Sequence, residues 1–192
     1  MKIEKITIHN IASIADAVID FNQKPLVDNS LFLICGETGV GKTTILDAIS
    51  LALFGKTPRF NKNISSRDAV AINGLASDKV AQIMRRHTTQ AFVELNFSVD
   101  DQPYCATWEA HRAKNAINGT LLINSSLRIG DKVIQNKVSQ LIEEIIGLTF
   151  EQFCRTTMLA QGEFTKFMLS DDNDKASILE KLTNTEQYTR YG

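Results

Sequence analysis

The 192-residue chain holds only three cysteines, Cys35, Cys105 and Cys154. They are odd in number, far apart, and none shares a C-x-x-C spacing. That speaks against a disulfide framework and against a zinc site, and for free thiols in a reducing compartment. No apolar run approaches the ~18 residues a membrane-spanning helix requires. The opening Met1-Lys2-Ile3-Glu4-Lys5 has no apolar signal core, so the expected location is the cytoplasm. Neither sign of charge is in excess: 21 Lys and Arg stand against 22 Asp and Glu, a net charge of −1. Bulk charge therefore gives no case for nucleic acid, although it leaves room for a local basic patch. There are no repeats and no low-complexity tract. What is present is an ordinary globular composition, long enough to bury a core as one domain.

The chain is organised around Gly36-Glu37-Thr38-Gly39-Val40-Gly41-Lys42-Thr43. This fits G-x-x-x-x-G-K-[ST], the phosphate-binding P-loop. Chance gives such a match in about one chain in a hundred of this length, and the flanks narrow it further. Leu31-Phe32-Leu33-Ile34-Cys35 is a short apolar run that predicts a buried strand. Thr44 to Phe54 has no Gly or Pro, and after Thr44 only Asp47 and Ser50 are polar. That predicts a helix buried on most sides. Gly36, Gly39 and Gly41 let the backbone turn where a Cβ would clash. The amides can then form an anion nest at a helix N-terminus. Lys42 can reach the β- and γ-phosphates, and the Thr43 hydroxyl can ligate Mg²⁺.

Elsewhere the pattern is mixed. Ile3, Ile6 and Ile8 predict an opening strand, 9–13 a turn, and 17–21 a second strand hairpinned to the first. Gly55 suits a helix C-cap and Pro58 prevents continuation. Residues 59–79 have no period and predict a loop. Ala91, Val93, Leu95, Phe97 and Val99 alternate with polar neighbours. Tyr104, Ala106, Trp108 and Ala110 form a return strand. Leu121, Ile123, Ser125, Leu127 and Ile129 form a third strand, giving an antiparallel meander over 90–130. A helix is predicted over 132–146, stopped by Gly147. A second starts at Thr149, whose spacing to Gln152 makes a capping box. A short strand over 156–160 and a last helix from about Ser170 complete the chain.

A second acid on an apolar strand, usual for Mg²⁺-dependent hydrolysis by a P-loop protein, is not found. Glu94 falls in mid-strand, and Glu143-Glu144 in a helical pattern. The chain can thus bind a nucleotide without carrying a full hydrolytic site.

These motifs resemble a family. The opening Lys-Ile…Ile-x-Asn turn carries the likeness, as does Gly-x-Thr-Gly-x-Gly-Lys-Thr-Thr-Ile-Leu-Asp-Ala-Ile with 52–59 close behind. The meander, Met158-Leu159-Ala160-Gln161-Gly162-Glu163-Phe164 and Leu179-Glu180-Lys181-Leu182-Thr183 extend it over nearly the whole chain. Together they resemble the N-terminal lobe of the ATPase head in the SbcC family, large subunits of bacterial SbcC–SbcD nucleases that repair DNA ends. That family lies within the ABC-type, SMC-like DNA repair ATPases.

The resemblance implies an α/β P-loop NTPase of ABC-ATPase type. Its sheet would be mixed, with an antiparallel β-subdomain and C-terminal helices leading to a coiled coil. Residues 1–180 would form the N-terminal lobe of the head, with a Q-loop at 158–164. Residues 181–192 would begin the coiled coil. The Walker B acids and signature motif would come from a C-terminal half. ATP would be held by Gly36, Thr38, Gly39, Val40, Gly41, Lys42, Thr43 and Thr44. Mg²⁺ would be held by Thr43 and Gln161, and Lys42 and Gln161 would serve hydrolysis. The implied partners are a second copy of the head, an SbcD-type nuclease subunit and DNA, with no membrane.

The chain departs from the pattern in two places. Many relatives carry an Arg just after the first strand. Here that turn reads Asn10-Ile11-Ala12-Ser13, so no such Arg is assigned. Glu37 adds a carboxylate to the loop, expected to face away from the phosphates.

Arg85-Arg86, and His111-Arg112 with Lys114, are either DNA-phosphate contacts or solvated faces. His9, His87 and His111 are isolated in sequence, and Trp108 and Phe97 read as core. Two other readings stay open: an ABC transporter ATPase subunit, and an SMC-like head that tethers DNA.

Overall fold

Alternation of apolar residues builds the sheet. The computed structural model describes residues 1–29, 31, 33–58, 83–117 and 121–156. In β1 (Lys2–Ile11), Ile6 and Ile8 are buried on one face. β2 (Ile14–Asp20) returns antiparallel, pairing Ile6 with Ile19 and His9 with Asp16. The predicted turn over 9–13 is tighter than expected, only Ala12 and Ser13. Asn10 takes a left-handed φ of 54°, a conformation Asn tolerates better than most residues. The alternation slips there, and Ile11 turns inward, fully buried.

The meander follows as predicted. β3 (Gln90–Val99) buries Ala91, Val93, Leu95 and Phe97. β4 (Gln102–Arg112) buries Ala106, Trp108 and Ala110. β5 (Leu121–Ile129) buries Leu127, while Ile123 remains 39% exposed. With β6 (Lys132–Ile134) the six strands run in the order β2-β1-β3-β4-β5-β6. Among the described residues every pairing is antiparallel. Such a sheet can pack one face and leave the other to water.

The packed face carries α1 (Lys42–Phe54), which lies across β1, β3 and β4. β5 lies outside that main footprint, which accounts for the exposure of Ile123. Every residue of α1 from Asp47 to Phe54 is buried, both polar breaks included. Gly55 caps the helix in left-handed conformation, φ 64°, its N–H bonded to Leu51 O. Burial of each large apolar side chain here is worth about 1.5–3 kcal/mol. This interface sets where the N-terminus of α1, and the loop before it, must sit.

Two expectations are corrected. The apolar run at 31–35 is not a buried strand. Leu31, Leu33 and Ile34 have no regular structure and are 88%, 85% and 44% exposed. A strand needs a hydrogen-bonding neighbour, and among the described residues none lies beside it. The predicted helix over 132–146 is split. Gly130, at φ 56°, turns the chain, and β6 pairs back on β5 through Ile129–Lys132 and Leu127–Ile134. Lys137, at φ 53°, separates that hairpin from α2 (Val138–Ile146).

The chain divides into two compact units, with the boundary between Gln140 and Leu141. The second unit is set by its caps. Gly147, φ 74°, ends α2 with its N–H on Glu143 O. The capping box forms: Thr149 N donates to Gln152 Oε1 at 3.0 Å, and Gln152 N to Thr149 Oγ1 at 3.3 Å. It starts α3 (Phe150–Thr156), in which Phe153 and Cys154 are buried. Thr156 is therefore helical. The remainder of the expected short strand, the loop over 59–79, the helix near Ser170 and the start of a coiled coil at 181–192 lie outside the described residues.

Trp108→Ala should destabilise the protein by about 3–5 kcal/mol, because Trp108 is 1% exposed at the centre of the sheet. Val18→Ala, at a site 62% exposed, should stay within about 0.5 kcal/mol. Urea unfolding followed by far-UV circular dichroism measures both. Equal shifts would contradict the assignment of the packed face.

Candidate nucleotide-phosphate site

The loop before α1 is bent by two glycines. Gly39 has φ 91°, and Gly41, the N-cap residue, has φ 110° and ψ 12°. Left-handed backbone costs an L-residue roughly 1–2 kcal/mol. Gly41 is also sterically fixed: a Cβ there would stand 2.9 Å from Ile14 Cγ1 and 3.0 Å from Ser13 Oγ. At Gly39 a Cβ would meet nothing within 4 Å. The β1–β2 turn therefore presses on the last glycine of the loop.

The first turn of α1 has no side-chain cap and no acidic residue. A helix N-terminus presents amides with no intrahelical partner and a partial positive charge. Lys42 reinforces that charge. Its Nζ donates to Gly36 O at 2.6 Å and Glu37 O at 2.7 Å, drawing the entrance of the loop onto its exit. An ammonium has three donors, so one N–H remains for an anion. Thr43 is exposed at the start of the helix, whereas Thr44 is buried. Gly36, Thr38 and Val40 are exposed, and Glu37 is held through its carbonyl. The structure thus brings the loop residues 36–44 together at one helix end. Gln161 lies outside the described residues.

A segment that sequence reasoning did not connect to this site closes on the same turn. Ala12 N donates to Ile83 O at 2.7 Å, and Arg85 N to Asn10 O at 2.8 Å. The guanidinium of Arg85 donates to Ser13 O at 2.8 Å. No periodicity or motif joins positions so far apart. His9 is likewise not isolated. Its Nδ1 meets Asp16 Oδ1 at 2.6 Å and its Nε2 meets Asn10 Nδ2 at 2.8 Å. The amide nitrogen only donates, so Nε2 accepts and Nδ1 carries the hydrogen to Asp16. The ring stacks on Phe92 at 5.4 Å. His9 and Asp16 face each other across the hairpin, a pairing legible only once the register is known.

His111 and Arg112 end β4, with Arg112 N on Thr89 O. That puts them at the end of the sheet where residues 85–88 enter β3. Among the described residues no cluster of three or more His, Cys, Asp or Glu could hold a metal ion. Cys35 is exposed and Cys105 and Cys154 are buried, all as free thiols. No helix among the described residues is long and apolar enough to cross a membrane.

Comparison with known proteins gives the same picture. The family described as "AAA domain" matches residues 5–190. The SbcC subunit of nuclease SbcCD from Pseudomonas aeruginosa is 38% identical over 99% of this chain and 16% of its own length. The protein of that name in Rhodobacter capsulatus is 39% identical over 98% of this chain and 16% of its own. That of Clostridium acetobutylicum is 30% identical over 88% and 14%. The resemblance read from the motifs therefore holds over nearly the whole chain, and the chain spans about one sixth of the length of these relatives.

Gly41→Ala should weaken nucleotide binding more than Gly39→Ala, because only the former must also displace the β1–β2 turn. Titration with a fluorescent ADP analogue separates the two. Equal losses would mean that the turn does not fix the loop.

Proposed function

Because the chain belongs to the AAA domain family, we propose that it is the ATP-binding N-terminal half of an ABC-type DNA repair ATPase head. One observation carries this reading: a glycine loop bent onto an uncapped helix N-terminus, with Lys42 folded across its base. Gly36, Thr38, Gly39, Val40, Gly41, Lys42, Thr43 and Thr44 would hold the phosphates of ATP through loop amides, the ammonium and hydroxyls. The exposed Thr43 hydroxyl at the start of α1 suits a Mg²⁺ ligand, and Gln161 is the second ligand by resemblance. The metal, when bound, offsets phosphate charge and bridges the β- and γ-oxygens.

Hydrolysis in this reading needs a second half. Residues 1–180 are the N-terminal lobe, and 181–192 begin a coiled coil leading to a C-terminal lobe that carries the acids and signature motif. Two features support that division. No strand-end acid accompanies the loop in the sequence, and the relatives are about six times longer than this chain. The exposed Leu31 and Leu33 add to it. Covering each would stabilise the head by about 1.5–3 kcal/mol, and neighbouring strands of a partly parallel core sheet would do so.

With two heads, ATP lies between the P-loop of one and the signature motif of the other. ATP closes the dimer and hydrolysis releases it, controlling an SbcD-type nuclease subunit on DNA ends. The printed name of the relatives, which makes each a part of a nuclease, supports such a partner. The expected setting is the cytoplasm.

Lys42→Ala should abolish ATP binding and ATP-driven dimerisation while leaving the far-UV circular dichroism spectrum unchanged. Isothermal titration with Mg-ATP reads the first and light scattering the second. An affinity within about twofold of the unaltered protein would sink the assignment.

A further inference from the structure

Arg85 reaches the nucleotide loop from a distant part of the chain. Its Nη1 donates to Ser13 O at 2.8 Å, across 72 positions of sequence. The backbone beneath it is fixed. Arg85 N bonds Asn10 O, Ala12 N bonds Ile83 O, and Met84 bridges Ile11. Ile83 and Met84 are buried while the arginine itself is exposed. Ser13 in turn lies against the loop, its Oγ 3.0 Å from a Cβ placed on Gly41. The guanidinium is thus seated one residue away from the last glycine, beside the uncapped amides of α1.

Its charge is uncompensated. A guanidinium has five donors, and here its bond is to a neutral carbonyl. Among the described residues it forms no ion pair. An open depression of about 430 Å³, lined by Ala12, Met84, Arg85, Arg86 and His87, adjoins it. Lys42 meanwhile already gives two donors to loop carbonyls and can offer a polyphosphate only one more. The site as built on the loop alone is short of donors, and the planar fork of an arginine matches paired phosphate oxygens.

We propose that Arg85 is a nucleotide-contacting residue, a second cation that binds the phosphate chain on the Gly41 side of the loop. It fills the role left open by a β1–β2 turn that carries Ala12 and Ser13 and no arginine of its own. The proposal rests on the nucleotide reading of the loop. The competing account is a structural one, in which Arg85 only braces Ser13.

The two accounts are separated by Arg85→Gln in the intact protein. A glutamine amide still donates to a carbonyl but carries no charge. If Arg85 binds phosphate, Arg85→Gln should weaken both ATP and ADP by about tenfold. It should also flatten the dependence of affinity on KCl concentration, and Arg85→Lys should recover part of the loss. If Arg85 only braces the turn, Arg85→Gln stays within about twofold with an unchanged salt dependence, and the proposal falls. Lys42→Ala is run alongside. Loss of binding there with an unaffected Arg85→Gln overturns this inference alone. Retained binding in Lys42→Ala removes the loop reading and this inference with it.

Discussion

The structure depends on one constraint: α1 must be held by its C-terminal turns so that its first turn can stay open. Asp47 to Phe54 are buried, and the sheet packs against the helix through β1, β3 and β4. The first turn takes no side-chain cap. Open amides at a helix start are normally satisfied by a neighbour, by water or by a ligand. They can stay free of a protein cap only because packing elsewhere fixes the helix. The loop glycines, Lys42 and the β1–β2 turn then shape one concave run of donors at that end. Function in this chain is thus a consequence of where the burial stops.

The same reasoning explains the unsatisfied side of the segment. The apolar residues Leu31, Leu33 and Ile34 lead into the loop yet face water. Monomeric proteins bear single exposed apolar residues without consequence, but a contiguous run marks a surface made to be covered. In the proposed head that cover is a set of neighbouring strands, and it would brace the loop from the side opposite α1. The β1–β2 turn and residues 83–85 brace it from within this chain. Catalytic competence would then require both braces, and a cation at Arg85 would tie one of them to the nucleotide itself.

Much of this was legible in the residues, where local chemistry determines local structure. The period-two alternation around Val93, Leu95 and Phe97 placed the meander and its buried face. Gly55 and Gly147 marked helix ends because each needs left-handed backbone. The Thr149 and Gln152 spacing marked a helix start because the two side chains satisfy each other's amides. The glycine loop and α1 were legible for the same reason. What failed was non-local. The run at 31–35 has strand composition, but a strand exists only with a partner. Residues 132–134 suit a helix or a strand, and the turn at Gly130 together with a free edge on β5 decided for the strand. Arg85 meets Ser13, and His9 meets Asp16, through register, which no single stretch of sequence encodes. Gln161 rests on motif resemblance alone.

The central claim is that the amides at the start of α1, from Gly39 to Thr43, are the ligands of a nucleotide's phosphates. Hydrogen–deuterium exchange of the intact protein, with and without saturating Mg-ATP, tests it most directly. The account predicts that those amides exchange markedly more slowly in ATP, while the strand amides of β3 and β4 are unchanged. Unaltered exchange over residues 39–43 at saturating ATP would contradict it.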